Sequence, residues 1–194
     1  MKILFLTGPH AVGKSYFMQQ LAATNNFFQF DTGPEMRRMH KESLSEKNIG
    51  EWVDELEKAY GPLVTCDMLC KVLESRKRDT DNIIVTGFRQ IEGIEYMINY
   101  FQPENYQILY IDGIFELLKN NFMLRENKNI SDEDFIKYLL SEEEWGLSNL
   151  KEYVLNNPSN CRYIKKQSNN DEITTDIFKN NKVLKLNFKG VQND

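Results

Sequence analysis

Short segments with strand character alternate along the chain with longer segments in which apolar residues recur every three or four positions. Strands are predicted at residues 3–6, 26–30, 83–85, 107–111 and 162–166. A continuous apolar run such as Ile83-Ile84-Val85 is typical of a strand buried on both faces, whereas the longer spacing is typical of an amphipathic helix. The alternation predicts an α/β fold with a five-stranded parallel sheet covered by helices on both faces.

The end of the chain follows a less regular pattern. Residues 171–179 are predicted to form a last helix, and residues 183–188 alternate between apolar and polar side chains, which predicts an edge strand. In a parallel sheet of this kind, ligands bind beyond the carboxyl ends of the strands. The residues that directly follow each predicted strand are therefore the candidates for chemistry.

The first predicted strand leads into residues 8–15, GPHAVGKS, which match the pattern G-x-x-x-x-G-K-[ST] at every fixed position. In such a phosphate-binding loop, glycines let successive backbone N–H groups face an anion, and the following helix adds the positive end of its dipole. Lys14 would neutralise phosphate charge and Ser15 would ligate Mg²⁺. A simple glycine turn is the alternative. The predicted nucleotide-binding residues are Gly8, Pro9, His10, Ala11, Val12, Gly13, Lys14, Ser15 and Tyr16.

Composition and charge narrow the possible partners. The 194 residues are 41% hydrophobic, which suits a single domain spanning residues 1–194, and the net charge of −5 argues against broad binding to nucleic acid or an anionic membrane. The apolar run at residues 3–6 is too short for the core of a signal peptide, and the three cysteines favour a reducing cytoplasm. We expect a cytoplasmic protein that binds a small-molecule nucleotide as a monomer or a homodimer.

Residues 1–145 resemble the nucleoside monophosphate kinase family, which includes adenylate kinase, through three motifs in the same order. The first motif is the loop at residues 8–15. The second, residues 32–37 (TGPEMR), is similar to the family's T-G-x-x-x-R. The third, Gly87-Phe88-Arg89, looks like the family's D-G-F-P-R-T without the proline.

The resemblance implies a P-loop NTPase fold, with a helical lid inserted at residues 113–145 and an acceptor-binding helical region at residues 32–80. It implies ATP and Mg²⁺ as cofactors, and Lys14, Arg89 and Arg125 as catalytic residues, with Arg125 brought to the phosphates by the lid. The implied substrate-binding residues are Asp31, Thr32, Gly33, Arg37, Gly87, Phe88 and Arg89.

Several positions depart from the family pattern. Thr86 stands where the family has an aspartate that orients metal-bound water, so the acid that would support Mg²⁺ is not identified. Gly93 stands where the family has a glutamine that reads adenine, which argues against AMP as the acceptor. Residues 87–97 also resemble dephospho-CoA kinases and phage deoxynucleotide kinases.

Ordinary structural roles compete with these assignments. Arg37 and Arg89 would be surface charges if they paired with Glu35 and Glu92, since most charged side chains are solvated. Asp31 would only cap the following helix, Arg125 would be an exposed charge at a helix end, and residues 142–144 (EEE) would be a solvated helix end.

Three functions remain open. The leading one is an ATP-dependent kinase that transfers the γ-phosphoryl group to a nucleotide phosphate, for which no general base is needed. The second is a kinase for a hydroxyl acceptor, such as a nucleoside or dephospho-CoA, with Asp31 as the base. The third is a P-loop ATPase or nucleotide-binding switch.

Overall fold

The computed structural model describes residues 1–25, 27–78, 82–168, 172–176 and 183–187. In chain order, its strands and helices are β1 (Lys2–Thr7), α1 (Lys14–Asn25), β2 (Phe27–Asp31), α2 (Thr32–Glu42), α3 (Ile49–Tyr60), α4 (Val64–Arg76), β3 (Asn82–Thr86), α5 (Ile91–Phe101), β4 (Asn105–Gly113), α6 (Phe115–Glu126), α7 (Asp132–Glu144), α8 (Leu147–Asn156), β5 (Cys161–Lys166), β6 (Glu172–Asp176) and β7 (Val183–Asn187).

Five parallel strands form the main sheet, in the order β2-β3-β1-β4-β5. The central strand β1 is paired on both sides, so that Leu4 lies opposite Ile84 of β3 and Gln107 of β4. This arrangement confirms the predicted α/β fold with a five-stranded parallel sheet. Because the order changes direction at β1, the turn that follows β1 lies where ligands of such sheets bind.

The sheet is buried on both faces because its strands are apolar on both faces. Ile3 and Phe5 pack into one hydrophobic cluster, whereas Leu4 and Leu6 pack into a second cluster across the sheet. All four side chains are at most 1% exposed. Burial of each stabilises the fold by roughly 1.5–3 kcal/mol, so β1 is held firmly on both sides.

The end of the chain differs from the prediction. Residues 172–176 form strand β6 rather than part of a helix over 171–179, and β7 pairs antiparallel with β6 instead of lying at the edge of the main sheet. The run Ile173-Thr174-Thr175 is β-branched throughout, which favours a strand over a helix. Positions 171, 177–179 and 188 of these predictions, and Asn26 of the predicted second strand, lie outside the described residues.

The helices bring further side chains to the carboxyl edge of the sheet. Helix α2 begins directly at the end of β2, where Asp31 Oδ1 accepts a hydrogen bond from the Gly33 N–H at 3.2 Å and caps the helix. Helices α6 and α7 follow the end of β4. Within the part of the chain that the structure describes, no helix combines the length and apolarity needed to cross a bilayer.

Candidate active site

A cavity of about 630 Å³ opens at the carboxyl edge of the sheet. It brings together most of the predicted site residues, namely Gly8, His10, Ala11, Gly13, Lys14, Ser15, Tyr16, Asp31, Gly33, Arg37, Gly87, Phe88, Arg89 and Arg125. The predicted residues that do not line it are Pro9, Val12 and Thr32, all of which are buried. The lining residues missing from the predicted set are Pro34, Thr86, Asn121, Leu124 and Lys166.

The loop at residues 8–13 joins β1 to α1 in a conformation that requires glycine. Gly8 has a φ of +132°, and a Cβ added there would lie 1.9 Å from the backbone oxygen of Ile111 in β4. Gly13 has a φ of +99°. A side chain at Gly8 would push the loop away from the sheet, so this glycine sets how closely the loop approaches β4.

Lys14, the first residue of α1, folds back over the loop. Its Nζ donates hydrogen bonds to the backbone oxygens of Gly8 at 2.9 Å and Pro9 at 2.7 Å. Burial lowers the pKa of Lys14 to about 8, although the nearby carboxylate of Glu142 opposes the shift. The ammonium group is therefore mainly charged at neutral pH, but it loses its proton more readily than a surface lysine.

His10 lies within the loop and its ring packs against the helices that follow β4. The ring centroid lies 6.2 Å from that of Phe122 and 5.6 Å from that of Tyr138, both in edge-to-face geometry. Burial, which has the largest effect, and the surrounding cations together lower the pKa of His10 to about 4. In order of effect, these cations are Arg125, Lys14, Arg89 and Arg37. The imidazole is therefore neutral and lies in a positive electrostatic field.

Arg37 of α2 lies over the backbone at the start of its own helix. A Cβ added to Gly33 would lie 3.5 Å from Arg37 Nη1 and 3.6 Å from Asp31 Oδ1. Glu35, the alternative partner of Arg37, instead pairs with Arg38 at 3.0 Å and with Arg76 at 2.5 Å. Because Glu35 pairs with these other arginines, it does not draw the Arg37 side chain away from the cavity that Arg37 lines.

Arg89, which follows β3, pairs with Glu142 rather than with Glu92. Its Nη2 lies 3.0 Å from Glu142 Oε1, and its guanidinium carbon lies 4.5 Å from the centroid of the Trp145 ring. Glu142 is 1% exposed and its Oε2 accepts a hydrogen bond from the His10 N–H at 2.9 Å.

The position of Glu142 corrects the expectation that residues 142–144 form a solvated helix end. Glu143 and Glu144 are exposed, but Glu142 is buried against the loop. Phe135, Tyr138 and Leu139 precede Glu142 at helical spacing and form the apolar face of α7. This periodicity could have predicted the burial of Glu142, since it places Glu142 on the face that packs inward.

Arg125 lies near the end of α6, where its side chain is 55% exposed and its Nε lies 3.6 Å from Glu126 Oε1. On the same helix, Asn121 Nδ2 donates a hydrogen bond to the Ala11 oxygen at 2.9 Å. Lys166, the last residue of β5, is 1% exposed and its Nζ lies 3.2 Å from the Val12 oxygen, to which it donates. The loop is thus held from both sides by polar side chains of distant elements.

The two motifs predicted to bind the acceptor touch each other. Gly87 has a φ of +105°, and a Cβ added there would lie 2.0 Å from Thr32 Oγ1. Thr7 Oγ1 donates a hydrogen bond to the Phe88 oxygen at 2.9 Å, which links the third motif to β1. The Phe88 ring also occupies the space beside Gly93, where an added Cβ would lie 2.8 Å from the ring carbons.

The oxygen donors at the cavity suit Mg²⁺ bound largely by phosphate groups. Ser15 and Asp31 line the cavity, and so does Thr86, whose buried Oγ1 has no hydrogen-bond partner among the described residues. The described residues contain no cluster of three or more His, Cys, Asp or Glu side chains that could hold a metal ion. Mg²⁺ seldom uses an all-protein cage and instead combines one or two protein oxygens with phosphates and waters, so these residues fit the ion.

Comparisons with known proteins identify the fold. No protein-family model and no curated protein sequence matches the chain. The crystal structure of a gluconokinase from Sinorhizobium meliloti 1021 is similar, with a TM-score of 0.50 and 12% identity over 86% of this chain and 82% of that chain. An uncharacterized protein from Eubacterium ventriosum ATCC 27560 is similar with a TM-score of 0.50 and 11% identity, over 87% of this chain and 91% of that chain. At such identities, the similarity establishes the shared α/β fold.

Proposed function

We propose that this protein is an ATP-dependent phosphotransferase whose acceptor is the phosphate group of a nucleotide. The observation that carries the proposal is the convergence of Lys14, Arg37, Arg89 and Arg125 on one cavity. The chain as a whole has a net charge of −5, so this positive surface is a local feature that suits polyanionic ligands.

The loop and the start of α1 form the donor side of the cavity. Backbone N–H groups of residues 11–15 and the helix dipole would bind the β- and γ-phosphates of ATP. Lys14 Nζ already lies over the loop, at the Gly8 and Pro9 oxygens, and would move from them onto a phosphate bound there. Phosphoryl transfer depends mainly on positioning and charge neutralisation, which these groups supply.

Arg37 and Arg89 form the acceptor side. They come from α2 and from the segment after β3, and the contact between Gly87 and Thr32 joins these two segments. A guanidinium group offers paired donors that match a phosphate, and an acceptor phosphate is already ionised at neutral pH because its second pKa is about 6. The residues then have only to orient the acceptor oxygen, and Arg125 would neutralise charge on the transferred group.

Ser15, Thr86 and Asp31 would hold Mg²⁺ together with the phosphates. The ion would supply charge neutralisation at the phosphate oxygens. Thr86 replaces an acid that the resemblance leads us to expect. Its hydroxyl has no partner among the described residues and lies on the cavity wall.

A hydroxyl acceptor is the second candidate, because the carboxylate of Asp31 lines the cavity as well as capping α2. A hydroxyl group must lose its proton during transfer, and Asp31 is placed at the strand end where a general base would act. An ATPase without an acceptor is the third candidate.

An ADP-release assay with ATP and Mg²⁺ tests the proposal against a panel of nucleoside monophosphates, nucleosides and dephospho-CoA. We expect at least one nucleoside monophosphate to raise the rate of ADP release well above the rate with ATP alone. The Lys14→Ala protein should show no such increase. Stimulation by nucleosides or dephospho-CoA alone would favour the hydroxyl acceptor. ADP release that no panel member stimulates would favour the ATPase.

A further inference from the structure

The segment that joins α7 to α8, residues 142–146, contacts Arg89 at three points. Glu142 Oε1 lies 3.0 Å from the guanidinium, and the Trp145 ring stacks on it at 4.5 Å. Gly146 packs against the backbone, since a Cβ added there would lie 3.6 Å from the Arg89 oxygen and 3.1 Å from Gln90 Cγ. Both the side chain and the backbone of Arg89 are thus fixed by this segment, which we call the α7–α8 junction.

The same carboxylate also contacts the phosphate-binding loop. Glu142 Oε2 accepts the His10 N–H at 2.9 Å, so its two oxygens serve the loop and the arginine separately. His10 and Arg89 line the cavity, whereas Glu142 is almost completely buried and does not. Glu142 therefore contacts both groups from outside the ligand space.

We propose that Glu142 is a positioning residue that orients Arg89 toward the acceptor phosphate and fixes Arg89 relative to the loop. The inference rests on the proposed function for the identity of the acceptor. A guanidinium has five donors in a rigid fork, so an ion pair and a stacked ring leave donors free for a ligand in the cavity. The side chain of Arg89 is 32% exposed, which leaves it accessible to the acceptor.

Stability alone does not account for this arrangement. Burying a carboxylate is costly, and a buried ion pair often contributes no more stability than apolar side chains of similar size. Orientation is different, because a displacement of about 1 Å in a reacting group can lower the rate about a hundredfold. The Glu142 carboxylate contacts both the loop on the donor side and Arg89 on the acceptor side, which fits such a role.

Glu142→Gln separates the two contacts. The amide oxygen can still accept the His10 N–H, while the amide nitrogen then faces Arg89 and carries no negative charge. We expect the KM for the acceptor to rise about ten- to a hundredfold, with the KM for ATP changed by no more than about twofold. Glu143→Gln, a change at the exposed neighbour, is the matched control and should alter neither value.

A double-mutant cycle tests whether Glu142 acts through Arg89. If it does, Glu142→Gln should add little to the loss in kcat/KM already caused by Arg89→Lys. Losses that multiply, or equal increases in both KM values, would overturn the proposal. If Glu142→Gln does not fold, Glu142→Asp and Trp145→Ala replace it, and an unchanged acceptor KM in both folded variants would equally overturn it.

Trp145 fluorescence supplies a readout that does not require turnover. The chain has two tryptophans, so the Trp145 emission is obtained by subtracting the spectrum of a Trp145→Phe protein. Glu142→Gln should shift this emission toward that of Arg89→Gln, whereas Glu143→Gln should not. If the wild-type protein phosphorylates no acceptor, the proposed function fails, but the fluorescence still tests the link. Unchanged emission in a folded Glu142→Gln protein would overturn the inference.

Discussion

The imidazole of His10 meets the phenol ring of Tyr138 edge to face, with their centroids 5.6 Å apart. This contact joins the loop at residues 8–13 to α7. The imidazole in this contact is neutral, because burial and four nearby cations oppose protonation and lower the pKa of His10 to about 4.

A His10→Gln variant should therefore lose less stability in acid than the wild-type protein does. The pKa is about 6.5 in the unfolded chain and about 4 in the folded protein, so the unfolded chain binds the extra proton. The free energy of unfolding then falls as the pH drops from 6.5 to 4, by at most about 3 kcal/mol from this group. Urea unfolding between pH 7 and 4 measures the difference.

His40→Gln is the matched control, since His40 is the only other histidine. A His10→Gln protein with the same acid sensitivity as both wild type and His40→Gln would contradict the assigned environment of His10.

Lys14→Ala should abolish phosphoryl transfer without unfolding the protein. Loss of one preorganised charge costs about a hundredfold or more in rate. The pKa of Lys14 is lower in the folded protein, so the charged lysine costs stability below pH 8, and this cost disappears as the pH rises toward 10.5. Urea unfolding at pH 7 should therefore give the variant a free energy of unfolding no lower than wild type. Lys137→Ala, at an exposed position of α7, should leave turnover unchanged, and comparable turnover in a folded Lys14→Ala protein would exclude the role.

Thr86→Val should be neutral or slightly stabilising, because it removes a buried hydroxyl that has no partner among the described residues. Thr7→Val is the matched comparison, since Thr7 Oγ1 donates to the Phe88 oxygen, and its loss should cost about 1–2 kcal/mol. Thermal unfolding distinguishes them. If Thr86 helps to hold Mg²⁺, its variant should also need more Mg²⁺ for half-maximal activity, and an unchanged requirement would remove Thr86 from the metal site.

Three variants distinguish the acceptor classes. With a phosphate acceptor, Arg37→Lys or Arg89→Lys should lower kcat/KM for the acceptor about ten- to a hundredfold, because lysine cannot reproduce the paired hydrogen bonds. Asp31→Asn should then be mild. With a hydroxyl acceptor, Asp31→Asn should lose about a hundredfold or more and the arginine changes should matter less. Steady-state kinetics with the best acceptor distinguishes the two classes. A large loss of kcat/KM in Asp31→Asn alone would overturn the preferred function.

Residues 113–145 are proposed to act as a lid that brings Arg125 over the phosphates. Hydrogen exchange in this segment should slow when an ATP analogue and the acceptor bind together. The effect should be largest before Glu142, which already contacts the loop in the described structure. Helix α5 lies outside the segment and serves as the reference. If exchange slows in α5 but does not slow in residues 113–145, the lid is ruled out.

The sheet was predictable because strands buried on both faces have continuous apolar sequences, as at Ile83-Ile84-Val85. Residues 172–176 were predicted wrongly because a short segment with few apolar residues shows no clear period. Ile173 and Ile177 are spaced as on a helix, and only the β-branched Thr174 and Thr175 between them indicate a strand.

Part of the site followed from motifs, since residues 8–15, 32–37 and 87–89 each follow a strand directly. Asn121, Glu142 and Lys166 did not, because each contacts the loop from 110 or more positions away. Such contacts depend on tertiary packing, which no local pattern encodes. Of these three residues, only Glu142 had a local signal, because its helical spacing with apolar neighbours indicated the inward-facing side of α7.

The central place of β1 has a consequence for synthesis. β1 emerges from the ribosome before the other strands of the sheet. Its partners β3 and β4 lie about 80 and 100 positions later, and Lys166 of β5 lies later still. Until then β1 is a strand with two apolar faces and no neighbour, which is a target for chaperones and for aggregation. A nascent chain should therefore acquire nucleotide affinity only after residue 166 has left the exit tunnel, and retention of stalled chains on immobilised ATP would time that event.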